Sequence, residues 1–198
     1  MNHFKYLIAL IFISNLALPS KVLAESPLRH FEAYEIPEAG LIVYNPSSPE
    51  WKIDFNKSTG GNAVLLSTPK NYFPPTSVEI RLNPKHPINS NELSQASLVI
   101  ANILRKKTNA LTIQDDTLQP IEYGNISALK DDFDIIFEDK ELSIRHIIGR
   151  MPSGHIITMM ATTLKNQSDA IEFMLSKIYS NLEEIQLSSG GANPRQSH

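Results

Sequence analysis

The sequence predicts an α+β fold in which an antiparallel β-sheet carries α-helices packed on its faces. Three observations point there. Between Asp131 and Leu164, apolar and polar residues alternate in three runs separated by short turns, the pattern of an antiparallel meander. Leu93, Ala96, Ile100, Ile103 and Leu104 recur at helical spacing before the meander, and Ile171, Met174, Leu175, Ile178, Leu182 and Ile185 do so after it. The chain has 198 residues, 41% of them apolar, enough for one packed core and too many for wholesale disorder.

The elements follow in order. Leu41–Tyr44 is a short apolar run closed by the loop Asn45-Pro46-Ser47-Ser48-Pro49. Trp51–Phe55 alternates as a half-buried strand, and the polar stretch Asn56–Asn62 turns the chain at Gly60-Gly61. Ala63–Ser67 and Ser77–Leu82 are further strands around a loop holding Pro69, Pro74 and Pro75. Pro84 and Pro87 end this region. Asn89, with Glu92 three residues later, forms a capping box for a helix over Asn91–Lys107. Arg105-Lys106-Lys107 at its end suits the helix dipole and reads as a solvated terminus. Leu111–Gln114 and Leu118–Tyr123 are weaker strands. In the meander, Phe133, Ile135 and Phe137 share one face, as do Leu142, Ile144, His146 and Ile148 on the next strand; His155–Leu164 returns. The last helix is capped by Asn166 or Ser168.

The N-terminus reads as an export signal. Lys5 precedes an apolar stretch of 12 residues, Leu7–Leu18, and Val22-Leu23-Ala24 offers a cleavage point before Glu25. Twelve helical residues reach about 18 Å, short of the ~30 Å a membrane span needs. The expected layout is a signal peptide at 1–24, a lead-in at 25–37, one domain at 38–186 and a disordered tail at 187–198. The protein is then periplasmic or secreted, with no stable membrane anchor after cleavage. Lys5 and Lys21 leave with the leader and no acid does, so 16 bases face 21 acids in the remaining 174 residues, a net charge of −5. Nucleic acid is excluded as a partner on this balance, because phosphate binding draws on clustered cations. With no cysteine, disulfides, thiolate metal sites and cysteine nucleophiles are excluded.

The order strands, helix, meander, C-terminal helix resembles the PsbP-like superfamily, which includes the Ran-binding Mog proteins and small exported bacterial proteins. The details that carry the resemblance are the Pro49-Glu50-Trp51 turn into a strand, the Ser77–Leu82 strand ahead of the helix, Gly124-Asn125-Ile126-Ser127-Ala128 leading into the meander, and Ser176-Lys177-Ile178 in the last helix. The resemblance covers Gly40 to Ile185. It implies an α/β/α sandwich and an accessory or partner-binding role, and it brings no catalytic residues. The lipid-attachment cysteine of some exported relatives is absent.

The chain carries few motifs of catalytic chemistry. Ser67-Thr68-Pro69-Lys70 and Ser127-Ala128-Leu129-Lys130 match Ser-x-x-Lys, but that chemistry needs Ser and Lys on one helical face. Ser67 sits at a strand end beside Pro69, and Ser127 and Lys130 lie on a strand, where residues three apart point to opposite faces. His146 and His155 sit several ladder positions apart, too far for one metal, and His146 on an apolar face reads as a satisfied core residue. Asp115-Asp116 and Asp131-Asp132-x-Asp134 lack the glycine and glutamate of a calcium loop and read as solvated strand-edge charges. No catalytic residue, metal or cofactor is expected.

The expected function is therefore non-enzymatic binding of a cell-envelope protein or a secreted effector. Alternatives are a small periplasmic hydrolase with a site assembled from distant residues, or a small-ligand carrier. Tyr72 and Phe73, beside Pro74 and Pro75, are the candidate binding residues, since aromatics on scaffolded loops make interface anchors. Phe73 alternatively plugs the sheet edge.

Overall fold

The computed structural model describes residues 31–58, 61–83, 89–111 and 118–185. The expected leader with its cleavage point, the tail, Thr112–Gln114, Asp115-Asp116, His30, His86, His198, Pro84 and Pro87 lie outside them. The strands are β1 (Phe31–Ile36), β2 (Leu41–Pro46), β3 (Lys52–Ser58), β4 (Gly61–Ser67), β5 (Ser77–Asn83), β6 (Gln119–Tyr123), β7 (Ile126–Phe137), β8 (Lys140–Arg150), β9 (Ile156–Leu164) and β10 (Glu183–Glu184). The helices are α1 (Ser90–Thr108) and α2 (Glu172–Ser180). All described pairings are antiparallel, in a seven-stranded sheet ordered β3-β4-β5-β9-β8-β7-β6 and a three-stranded sheet ordered β1-β2-β10. Among the described residues no helix is long and apolar enough to cross a membrane.

Opposed residues in an antiparallel ladder share a face, so the register sorts the large sheet into two surfaces. One row runs Ile53, Leu66, Val78, Ala161, Arg145, Asp132. This face carries the main core, covered by β2 and α2, with Leu41, Val43, Leu175, Ile178 and Tyr179 all but fully buried. The neighbouring row runs Asp54, Leu65, Glu79, Met160, His146, Asp131. This second face carries a smaller, separate cluster of Phe133, Ile135, Leu142, Ile144 and Met160, over which α1 lays Leu104.

β7 serves both layers. It buries Ile126 and Ala128 towards the main core, then Asp131, Phe133 and Ile135 towards α1. No bulge intervenes, since its register with β8 is continuous from Ser127↔Arg150 to Phe137↔Lys140. The exchange comes from which cover lies above each half.

Three expectations are corrected. The segment read as a lead-in contains β1, because Tyr34 and Ile36 stand opposite Val43 and Leu41 and complete the small sheet. The last helix is not capped by the Asn166 or Ser168 side chain and does not reach Ile185. The chain instead winds through 3-10 turns at Lys165–Gln167 and Asp169–Ile171, makes a short helix and re-enters the small sheet as β10. On α1, the inward row is Leu93, Ser97, Ala101 and Arg105, at a spacing of four, while Ile103 is 48% exposed. The capping box of α1 is as read: Asn89 Oδ1 accepts from the Asn91 and Glu92 amides at 2.9 and 3.0 Å, and Glu92 Oε2 accepts from the Asn89 amide at 2.9 Å.

Candidate functional site

The meander order gathers several connections at one end of the large sheet. Ser67 pairs with Ser77, Ser77 with Thr162 and Leu142 with Leu164, so the 68–76 loop, the Glu138-Asp139 turn and the 3-10 turns before α2 lie together. Three threonines pin the 68–76 loop there. The Thr68 amide donates to Thr76 O at 2.9 Å, and the Thr76 amide donates to Thr68 Oγ1 at 2.9 Å. Thr76 Oγ1 donates to Pro74 O at 3.1 Å and lies 3.2 Å from Thr163 Oγ1, which donates to Pro75 O at 3.3 Å. Prolines at 69, 74 and 75 have no amide to donate, and the Thr76 and Thr163 hydroxyls donate to the Pro74 and Pro75 carbonyls.

The two candidate residues divide on this loop. The Tyr72 amide donates to Pro69 O at 2.9 Å, and its ring centroid lies 6.4 Å from that of Trp51 at an interplanar angle of 60°. Trp51 is 1% exposed, and its carbonyl accepts from Asn45 Nδ2 at 2.7 Å. Burial against this anchor raises the Tyr72 hydroxyl above its ordinary pKa. Phe73 is 51% exposed. The loop is visible in the sequence but its brace is not, because the Trp51–Tyr72 contact joins two separate connections.

Nearby, Ser143, Thr163 and Ser168 surround a shallow recess over Ile171 and Leu175, with room for about one water. Arg145 at its rim is engaged: its Nε and Nη2 donate to Asp132 at 3.0 and 3.3 Å, and its Nη1 meets Glu172.

The motif residues fall as their spacing implied. Ser127 donates to Glu122 at 3.2 Å, while Lys130 lies on the opposite sheet face, 3.2 Å from Asp132. Ser67 closes β4 and Lys70 is exposed in the turn beyond. His155 lies on the turn before β9, and its Nδ1 is 2.7 Å from Glu184 Oε1. His146 is in mid-strand, opposite Asp131 and Met160.

Two residue readings are overturned beneath α1. Asp131 is not a solvated edge charge and Arg105 is not a solvated helix end. They form a buried bidentate pair, 3% and 8% exposed, with Nε to Oδ2 at 2.9 Å and a second bond from Nη2 to Oδ1. His146 is a core residue but not a satisfied one: among the described residues its Nδ1 has no partner. Burial pushes its imidazole down to about 4, against a smaller upward pull from Asp131. The signal for Asp131 was present in its parity, which matches Phe133 and Ile135.

No family model and no curated protein matches the chain. Solved structures do. A Bacteroides thetaiotaomicron crystal structure is 13% identical with a TM-score of 0.52, over 77% of this chain; the chain spans about half the length of that protein, 47%. A Pseudomonas aeruginosa protein of unknown function, PA94, described as a candidate regulator, is 14% identical over 77% of this chain and 96% of its own, with a TM-score of 0.44. LpqN of Mycobacterium tuberculosis, involved in cell envelope biogenesis, is 12% identical over 78% of this chain and 91% of its own, with a TM-score of 0.45. At these identities the likeness is one of fold.

Proposed function

We propose that this chain is an exported, PsbP-like accessory protein that binds another protein of the envelope, or a secreted effector, and does so without catalysis. The observation that carries the reading is Phe73: a large aromatic side chain, half in solvent, on a loop whose neighbours are fastened by Thr68, Thr76, Thr163 and the Trp51–Tyr72 contact. An apolar anchor gains affinity when its backbone is ordered before the partner arrives, because association then costs less entropy. Export rests on the charged, apolar and small-residue sequence of Met1–Ala24. The PsbP-like assignment rests on the order of strands, helix, meander and helix. The test is capture from envelope extract by the wild type and by Tyr72→Ala with Phe73→Ala. The folded double variant is expected to lose a partner that the wild type retains. Equal capture by both removes the loop from the interface, and turnover of a substrate by the wild type without capture replaces the reading with the hydrolase.

A further inference from the structure

We propose that α1 is an acid-sensitive cover: mild acidification shifts the helix toward a state lifted from the large sheet while the main core stays folded, and that state exposes an apolar strip of the sheet.

The geometry has three parts. First, the layer under α1 is separate. Its buried cluster of Phe133, Ile135, Leu142, Ile144 and Met160 does not merge with the main core, which lies on the opposite sheet face. A small cluster with its own cover is the structural basis of an independent opening unit. Second, the helix brings little apolar bulk. Leu93 and the partly buried Leu104 are its large apolar contributions, the rest of the inward row being Ser97, Ala101 and Arg105, and Ser97 Oγ is buried with no partner among the described residues. Third, its C-terminal end is held by charge. Arg105 reaches down to Asp131, and Asp131 stands directly across from His146 in the ladder.

The surroundings of His146 set the direction of the effect. From β7 it meets the Asp131 carboxylate, already occupied by Arg105 of α1; from β9 it meets uncharged Met160. Further along the same face lie Glu79 and Arg81 on β5, which pair with one another, and Arg150 on β8. A protonated His146 under the closed helix is therefore a second cation competing for one carboxylate that is already doubly bonded. With the helix lifted, water reaches the imidazole and it binds a proton at its ordinary value. The open form then holds more protons than the closed form, so acid favours opening. With 6.5 in the open form and about 4 in the closed form, the opening equilibrium rises about twenty-fold between pH 7 and pH 5.

Hydrogen exchange of the full chain, read by mass spectrometry and corrected for intrinsic rates, tests this. Amides of Asn91–Thr108 are expected to lose protection about twenty-fold from pH 7 to pH 5, in line with the linkage above, while β5 and β9 amides remain protected. His146→Gln, which cannot take up the proton, is expected to show the same α1 protection at both pH values. A second variant, His146→Met, covers the case in which glutamine is not accommodated. Unchanged α1 protection in the wild type overturns the proposal. So does an equal loss in either folded variant, and so does loss of α1 and β9 protection in step, which would make the opening global.

Discussion

His155 Nδ1 sits 2.7 Å from Glu184 Oε1 and so ties the β8–β9 turn to the last strand. That strand is two residues long, and its other fastenings are its pairing to Leu41 and Ile42, the Tyr44 hydroxyl donating to Glu183 Oε1 at 3.4 Å and the Ile185 amide donating to Gly40 O at 3.0 Å. Both partners are largely shielded, at 29% and 17% exposure, so the bond exceeds an ordinary surface pair. Glu184→Ala is expected to cost about 1 kcal/mol of global stability. It should also raise the exchange rate of the Ile185 amide far more than that of any β8 amide, and uniform exchange across the two would remove the fastening role.

Breaking the buried ion pair should cost more than removing it. Arg105→Met strands the Asp131 carboxylate in the α1 layer, and about 3–5 kcal/mol is expected to be lost. Arg105→Met with Asp131→Leu leaves no charge to strand and is expected to recover most of that loss. Urea denaturation of the two singles and the double decides it; additive losses would show that the pair is not a unit.

Two glycines of left-handed φ should respond unequally to alanine. Gly124, at φ +57°, presses against the Ser180 carbonyl, where a Cβ would collide with backbone that cannot yield. Gly40, at φ +69°, has Leu82 Cδ2 at 3.5 Å from the same hypothetical atom, an ordinary contact. Gly40→Ala is expected to cost about 1 kcal/mol and Gly124→Ala at least about twice that. Equal midpoints in denaturant would contradict this ordering.

Trp51 and Phe73 make a contrasting pair. Trp51→Ala empties a fully buried site and is expected to cost about 3–5 kcal/mol. Phe73→Ser is expected to stay within about 0.5 kcal/mol of wild type, since half its surface already faces water. A large loss on Phe73→Ser would make the residue part of the core rather than a presented anchor.

The meander was legible because Phe133, Ile135 and Phe137 alternate with Asp132, Asp134 and Ile136, and nothing but a strand repeats every two residues. β1 was hidden because Glu32 and Glu35 interrupt its apolar residues, and its partner strand lies beyond the Gly40 turn. Ile103 is apolar and at helical spacing yet faces solvent, because beyond Leu93 the inward row of α1 is built from small and charged residues. The Arg105–Asp131 pair joins residues 26 apart, and no local pattern announces which cation a carboxylate will meet. At the loop site, proline and aromatic content marks the segment, but the bonds through Thr163 that tie it to β9 link positions 87 and 88 residues apart.

The main core is closed by the two ends of the domain at once. β1 and β2 come from its start, α2 and β10 from its finish, and Leu41 and Val43 share their apolar cluster with Leu175 and Ile178. During synthesis the first strands therefore emerge long before their cover exists, and they pay the loop-closure entropy of more than a hundred intervening residues when it arrives. A nascent chain cut off before Met174 has no route to the finished core, however complete its sheet. Closure of the main core thus waits for the last residues of the domain.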